Sequence, residues 1–121
     1  PVMISTKNER RNPKYAETKE RIWDLFYPQQ IMLIEGYLTL YDERIRSVLH
    51  SAIWLEVDHD TRWGRRVHFK NSDYEQNILK PMHKQFAEPT KQYAEHVIDV
   101  TNLPKEKVLE RVEEILNPFL K

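Results

Sequence analysis

Three short segments of the chain have the length and composition of buried β-strands. Residues 31–35 form a continuous apolar run with β-branched side chains, which ends in Glu35 and is followed by Gly36. Residues 53–57 and 96–100 form the second and third segments. Because strands that are buried on both faces read as unbroken apolar runs, these segments predict a parallel sheet.

Helical periodicity predicts helices between these strands and after them. Apolar positions recur at helical spacing over residues 40–49. A second helix should begin after residues 53–57, with Asp58 or Asp60 as its N-cap and Thr61 in its first turn.

The remaining helices lie in the C-terminal half of the printed sequence. Residues 71–73 should break the second helix, with Ser72 or Asp73 capping the next, which covers residues 74–93. Pro81 and Pro89 should kink or divide it, since proline lacks the backbone N–H that a helix interior uses. A last helix opens at Pro104.

The N-terminal segment is harder to interpret. Residues 1–4 suit a short strand and residues 5–14 an exposed loop, whereas residues 15–26 fit either a helix or a strand. The overall order of elements predicts an α/β fold in which helices flank a mostly parallel sheet. At 121 residues, the chain is expected to form a single domain over residues 1–121.

Composition excludes several classes of function. Lys plus Arg and Asp plus Glu both number 19, so net charge favours neither nucleic acid nor an anionic membrane as a partner. Cysteine is absent, which rules out disulfides and thiolate metal sites. No apolar run approaches the roughly 20 residues of a membrane span, so we expect a cytoplasmic protein.

Glu35 is the first candidate functional residue. If residues 31–35 are a parallel strand, the carboxylate lies at the sheet edge where open α/β folds bind ligands, and it could hold Mg²⁺. Gly36 would allow a ligand to approach the backbone closely. The alternative is a surface or helix-capping carboxylate.

Arg62, Arg65 and Arg66 form the second candidate. Their i, i+3, i+4 spacing puts them on one face of a helix, where they could clamp phosphate groups. The alternative is a solvated face paired with nearby acids. Among the five histidines, which lack zinc-ligand spacing, only His59 lies near this cluster, and a structural role is the simpler interpretation.

The order of these segments resembles the uridine/cytidine kinase and phosphoribulokinase-like group of P-loop nucleoside kinases. The resemblance rests on IMLIEGYL (residues 31–38), LYDERIR (40–46), VDHDTR (57–62), RRV (65–67) and PMHKQFAEPTKQYAE (81–95). The last stretch is the most specific, and the likeness extends over roughly residues 28–117. It implies a partial three-layer sandwich of the P-loop-kinase type.

The resemblance also implies roles for single residues. Glu35 matches the glutamate that binds Mg²⁺, and Arg66 matches an arginine that reaches the nucleoside and phosphate region. Arg62 and Arg65 match the remainder of an Arg-x-x-Arg-Arg pattern, and Arg10 matches the substrate-binding N-terminal stretch. Residues 1–121 would then correspond to the C-terminal part of such a kinase, with ATP and Mg²⁺ as cofactors.

The chain departs from the family pattern at several positions. Met3, Ile4 and Asn8 stand where the family has tyrosine, aspartate and histidine. After Arg66 the arginine-rich lid is shortened, with Lys70 the only nearby candidate to replace its charges. No Gly-x-x-x-x-Gly-Lys-Ser/Thr loop occurs in the printed sequence.

These observations leave two hypotheses for function. The leading one is the C-terminal portion of a uridine kinase-like, ATP-dependent phosphotransferase, inactive alone, with nucleotide and a nucleoside-like molecule as ligands once the site is completed. The other is a non-catalytic interaction or oligomerisation module derived from the same scaffold. Either one predicts a homo-oligomer or a missing N-terminal half as the partner.

Overall fold

The computed structural model describes residues 1–67 and 70–120, which form two compact units, Pro1–Leu33 and Ile34–Lys121. The predicted mixed α/β class is confirmed, because the described residues contain two two-stranded sheets together with helices. That one domain spans the chain stays a prediction. In the described ranges, no helix is long and apolar enough to cross a membrane.

The first unit is a β-hairpin with a short helix in its connection. Strand β1 (Val2–Thr6) pairs antiparallel with β2 (Ile22–Phe26), and helix α1 (Tyr15–Thr18) lies between them in the chain. Residues 15–26, which fitted either a helix or a strand, therefore contain both. The helix ends at Lys19, whose left-handed φ of 59° turns the chain toward β2.

Asp24 holds the hairpin and its connection together. Its buried carboxylate accepts hydrogen bonds from Thr6 Oγ1 (2.6 Å) and Asn8 Nδ2 (2.7 Å), and it pairs with the Arg11 guanidinium. Hydrogen bonds from Thr6 and then Asn8 are the main reasons that the pKa of Asp24 is lowered, and burial opposes them. Asn8, one of the departures from the family pattern, is thus engaged within this unit.

Acid should weaken the hairpin through Asp24. Because its pKa lies below the ordinary 3.8, the stabilisation is present above that value and is lost as the pH falls through the lowered pKa. Asp24→Asn should remove this part of the pH dependence. The measurement is the loss of the amide NMR signals of β1 and β2 as the pH is lowered. Glu20→Gln, a change at an exposed carboxylate, is the control. If the signals of Asp24→Asn and of the wild type were lost over the same pH range, the prediction would be contradicted.

The second unit contains the remaining elements, most of them helical. In chain order they are α2 (Glu43–Arg46), β3 (Ile53–Glu56), α3 (His59–Arg65), α4 (Ser72–Tyr74), a π-helix (Glu75–Leu79), α5 (Lys80–Met82), a π-helix (His83–Ala87), a 3₁₀-helix (Glu88–Tyr93), β4 (His96–Asp99), α6 (Lys105–Leu116) and a 3₁₀-helix (Asn117–Phe119).

A parallel pair, β3 and β4, is the sheet of this unit. It pairs Ile53 with His96 and Glu56 with Asp99 at its two ends. Both strands match their sequence predictions to within one residue, so these two predictions are confirmed. The buried apolar side chains that the structure describes are few and lie in this unit: Leu40, Ala52, Ala87 and Ile98.

The predicted strand at residues 31–35 is wrong. The structure gives this run no strand, and the side chains of Met32, Leu33 and Ile34 are exposed, Leu33 by 75%. A strand needs a neighbour whose N–H and C=O groups complete the ladder, and the two described sheets pair only β1 with β2 and β3 with β4. The apolar run therefore stays outside any described sheet.

The helix type changes near the two internal prolines, Pro81 and Pro89, where a kink or a division is predicted. Each π-helix contains the residue four positions before a proline: Asn77 for Pro81 and Gln85 for Pro89. The proline ring clashes with that residue's carbonyl in a regular helix, and the wider π turn relieves the clash. The N-cap of α4 is Asn71, not Ser72 or Asp73, because the Asn71 side chain accepts from Tyr74 N.

Candidate functional site

A cavity of about 440 Å³ opens in the second unit beside α3. Its walls come from the turn after Gly36, the end of β3, helix α3 and the helical stretch that follows. The lining residues are Tyr37, Leu38, Val57, His59, Arg62, Trp63, Arg65, Arg66, Val67, Leu79, Met82, His83, Phe86 and Ala87. Aromatic and apolar side chains with a few convergent cationic groups are typical of a small-molecule site.

Asp58 is the N-cap of α3. It is one of the two residues that the sequence predicts for this position. The Asp58 carboxylate accepts hydrogen bonds from Thr61 N (2.8 Å) and Thr61 Oγ1 (2.7 Å). Hydrogen bonding to Thr61, first from its backbone N–H, lowers the pKa of Asp58. With the helix beginning at His59, the residues at i+3 and i+6 are Arg62 and Arg65, and all three line the cavity.

The three predicted arginines meet at this cavity in different environments. Arg62 is half-buried, whereas Arg65 is exposed and donates from Nη2 to the Thr101 carbonyl at 3.0 Å. The Arg66 guanidinium lies over the rings of Trp63 (5.8 Å) and Tyr74 (5.9 Å). Cation–π contacts of this kind orient a guanidinium without neutralising its charge.

Two of the acids near the arginines, Asp58 and Glu56, have other partners. Asp58 caps α3, and Glu56 forms an ion pair with Lys91 and accepts a hydrogen bond from Trp54 Nε1. Within residues 1–67 and 70–120, neither Arg62 nor Arg65 forms an ion pair with a carboxylate. Their charges are therefore available to attract an anion into the cavity.

Two histidines also line the cavity. His59 bonds through Nε2 to Glu75 Oε2 at 3.2 Å, and its Nδ1 lies 3.4 Å from Arg62 Nη2. Burial, and then the positive charge of Arg62, lower the pKa of His83, which favours its neutral form. Its ring also lies 6.5 Å from that of Trp54.

The turn that carries Tyr37 and Leu38 to the cavity depends on Gly36. Gly36 has a φ of +156°, and a Cβ there would lie 3.1 Å from Thr39 Oγ1, so glycine suits the position. Thr39 N donates back to the Gly36 carbonyl at 3.3 Å and closes the turn.

Glu35 and Arg10 lie outside the cavity lining. Glu35 is exposed in irregular chain just before Gly36, not at the end of a strand. Among the described residues, no group of three or more His, Asp or Glu side chains could hold a metal ion, so the Mg²⁺ role of Glu35 stays a prediction. Arg10 is exposed in the first unit, in a turn after β1.

The shortened lid after Arg66 is only partly described. His68 and Phe69 lie outside the described residues, so the predicted shortening is not tested at those positions. Lys70, the expected substitute for the lid charges, donates from Nζ to the Gly64 carbonyl at 3.4 Å. This contact holds Lys70 against the end of α3.

A family model matches most of the chain. The model described as Phosphoribulokinase / Uridine kinase family matches residues 4–108, which include every lining residue of the cavity. The chain belongs to this family. The resemblance seen in the sequence is thereby confirmed at the level of the family.

Several curated uridine kinases are similar to this family member. The uridine kinase of Clostridium perfringens (strain SM101 / Type A) is 32% identical over 105 residues, covering 76% of this chain and 50% of that protein. That of Streptococcus thermophilus (strain ATCC BAA-491 / LMD-9) is 31% identical over 108 residues, covering 81% and 47%. That of Brevibacillus brevis is 36% identical over 84 residues, covering 59% and 38%. The chain thus spans half or less of the length of these relatives.

The sequence did not indicate every residue of the site. The histidine spacing favours a structural or surface role for His59 and His83, and no local pattern points to Glu75. The i, i+3 spacing of His59 and Arg62 was visible in the sequence and placed both side chains on one helix face. The contact with Glu75, sixteen positions after His59, depends on how the following helix packs and has no local signature.

Proposed function

We propose that this chain is the C-terminal portion of a uridine kinase-like phosphotransferase that transfers a phosphoryl group from ATP to a nucleoside or a similar hydroxyl. The observation that carries the proposal is the cavity in which Arg62, Arg65 and Arg66 converge beside aromatic rings. Guanidinium groups pair with phosphate oxygens through two parallel hydrogen bonds, and aromatic faces can stack a base.

The proposal assigns ATP and Mg²⁺ to a site that another segment completes. Phosphoryl transfer depends on positioning and electrostatics, which in P-loop enzymes come from a glycine-rich loop, a lysine and a bound magnesium ion. This chain supplies the arginines, with Glu35 as the Mg²⁺ ligand and Arg10 on the substrate side. The P-loop and the catalytic base belong to the remainder of the enzyme, which we expect in the cytoplasm.

The exposed apolar run at residues 31–34 supports this view of a partial fold. Met32, Leu33 and Ile34 are exposed by 63%, 75% and 59%, which is unusual for three successive apolar residues. In the complete enzyme this run would join the parallel β3–β4 pair in a larger sheet. The three-layer sandwich of P-loop kinases is therefore part of the proposal.

The second candidate function is an interaction module that keeps the scaffold without the chemistry. The same exposed run favours it, since unpaired chain with apolar side chains can add as a strand to another sheet. Homo-oligomerisation through this segment is its direct consequence. Size-exclusion chromatography with light scattering would show a concentration-dependent oligomer, whereas a monomer at high concentration would contradict it.

The test of the kinase proposal is an amide NMR titration of the chain with Mg²⁺ alone, with ATP alone and with Mg·ATP. We expect ATP to shift signals of residues 36–38 and 59–67, and Mg²⁺ to add shifts at Glu35. ATP turnover by the chain itself should be negligible, because one carboxylate and three arginines do not supply in-line positioning.

Each arm of this titration has a result that opposes the proposal. No shift around the cavity at millimolar Mg·ATP would contradict nucleotide binding and favour the interaction module. Shifts spread evenly over the exposed lysines and arginines of α6 would indicate non-specific attraction only. Robust Mg²⁺-dependent turnover by this chain would contradict the need for a second segment.

A further inference from the structure

A short series of hydrogen bonds links α3 to the next helical segment at the wall of the cavity. Arg62 Nη2 lies 3.4 Å from His59 Nδ1, and His59 Nε2 lies 3.2 Å from Glu75 Oε2. His59 and Glu75 are both largely buried, with the His59 side chain 21% exposed and that of Glu75 12% exposed. Glu75 itself does not line the cavity.

The chemistry of the three groups determines the direction of each hydrogen bond. A guanidinium can only donate, so His59 Nδ1 must be the acceptor and carries no proton. The proton of the neutral imidazole is then on Nε2, which donates to the Glu75 carboxylate. The His59 ring also stacks on Trp63, with 6.3 Å between centroids and 18° between planes, so its orientation is held from a third side.

His59 lies between Glu75 and Arg62, so the Glu75 carboxylate is near the cavity but does not form an ion pair with the Arg62 guanidinium. A direct pair between Arg62 and a carboxylate would occupy the guanidinium and reduce its attraction for an anion. With a neutral imidazole between them, Arg62 forms no ion pair in the described ranges and uses one of its five N–H donors. The other donors remain for a ligand.

We propose that His59 is a positioning residue for Arg62, held in the required tautomer by Glu75, so that Arg62 is oriented in advance for a phosphate-like anion. The inference rests on the proposed function, since it assumes that the cavity binds such an anion. Preorganisation raises affinity because a long, flexible side chain has less freedom to lose on binding. His59 and Glu75 act through Arg62 and do not themselves hold the ligand's phosphates.

The first test reads the tautomer directly from the imidazole ¹⁵N shifts of the chain without ligand. We expect the proton of His59 on Nε2 and none on Nδ1, as its two hydrogen bonds require, and we expect Arg62→Met to move the Nδ1 signal. The exposed His96 should not respond and is the internal control. A proton on His59 Nδ1, or a Nδ1 signal unchanged in Arg62→Met, would overturn the inference whatever the cavity binds.

The second test measures tripolyphosphate affinity by calorimetry for two variants of Glu75. Removal of a negative charge near a cationic cavity should by itself strengthen anion binding, whereas loss of positioning should weaken it. We expect Glu75→Leu to bind roughly 5-fold to 10-fold more weakly and Glu75→Gln, which retains an acceptor oxygen, to bind at least as tightly as the wild type. Equal or tighter binding by Glu75→Leu would overturn the inference.

His59→Phe provides a third variant that preserves the ring contact with Trp63 but removes both hydrogen bonds. Its affinity for tripolyphosphate should fall by a similar factor, while the amide spectrum away from the cavity stays that of the wild type. If His59→Phe bound tripolyphosphate as tightly as the wild type, the inference about His59 would be overturned and the proposed function would stand. A wild-type chain that binds no tripolyphosphate would overturn the proposed function and, with it, the role of Arg62 that the inference assumes.

Discussion

Replacing Ile98 with alanine is expected to lower the free energy of unfolding by about 2–5 kcal/mol. Ile98 lies on β4 and is only 5% exposed, and it is one of the few apolar side chains buried in the described part of the chain. Truncation removes buried methyl and methylene groups and leaves a cavity, and both effects destabilise the folded state. Urea unfolding followed by far-UV circular dichroism measures the change.

Leu55→Ala is the matched control for this prediction. Leu55 is the register partner of Ile98 in the parallel pair, yet it is 50% exposed. Its truncation should cost less than about 1 kcal/mol, a cost made up mainly of the lower strand propensity of alanine. Equal losses in the two variants would contradict the placement of the core at Ile98.

Strands β3 and β4 could be predicted from the sequence because each has a local strand-like pattern and each pairs with the other. Each combines β-branched or aromatic residues with a polar boundary, and β3 ends where Asp58 begins the next helix. Each strand has the other as its neighbour, with paired residues from Ile53–His96 to Glu56–Asp99. Local preference and tertiary pairing therefore agree.

Residues 31–35 show where the same reasoning fails. Their apolar, β-branched pattern is at least as strand-like as that of β4, but no described strand pairs with them. Strand propensity reports fit to a pleated, half-buried surface and not a preference of the backbone alone. Pattern alone cannot show whether that surface is present.

Helix boundaries depended on side-chain capping that the periodicity did not indicate. Residues 40–49 carry a helical pattern, yet α2 covers only Glu43–Arg46. Asp42 accepts a hydrogen bond from Arg44 N at 2.8 Å, which begins the helix there. The preceding residues form turns, and Arg46 donates to the Leu40 and Tyr41 carbonyls and so holds them in place.

Some residues of the candidate site are placed by local helical spacing, and others are placed by tertiary packing. Helical spacing was sufficient to group Arg62 and Arg65, because residues at i and i+3 share a helix face whatever packs beside it. Arg66 follows α3 as its C-cap and also lines the cavity. The aromatic and histidine walls of the cavity come from a later helical stretch, whose position depends on tertiary packing. Sequence thus predicted the charges of the site but not their surroundings.

Arg62→Met is expected to weaken tripolyphosphate binding by the chain roughly 10-fold to 100-fold, the effect of losing a charge-assisted hydrogen bond of about 1.5–3 kcal/mol. Arg62 is half-buried, lines the cavity and has no carboxylate partner in the described ranges, so its charge is not already satisfied. Methionine retains most of the apolar stem, which limits the change in packing. Isothermal titration calorimetry at low ionic strength gives the affinity.

Two further arginine variants separate a specific site from general attraction. Arg111→Met removes an equal charge from the exposed surface of α6, away from the cavity lining, and should change affinity less than about 2-fold because exposed charges are screened by solvent and salt. Arg65→Met should fall between the two, since the Arg65 guanidinium already donates to the Thr101 carbonyl. Equal weakening by Arg62→Met and Arg111→Met would mean that net charge, and not the cavity, binds the anion.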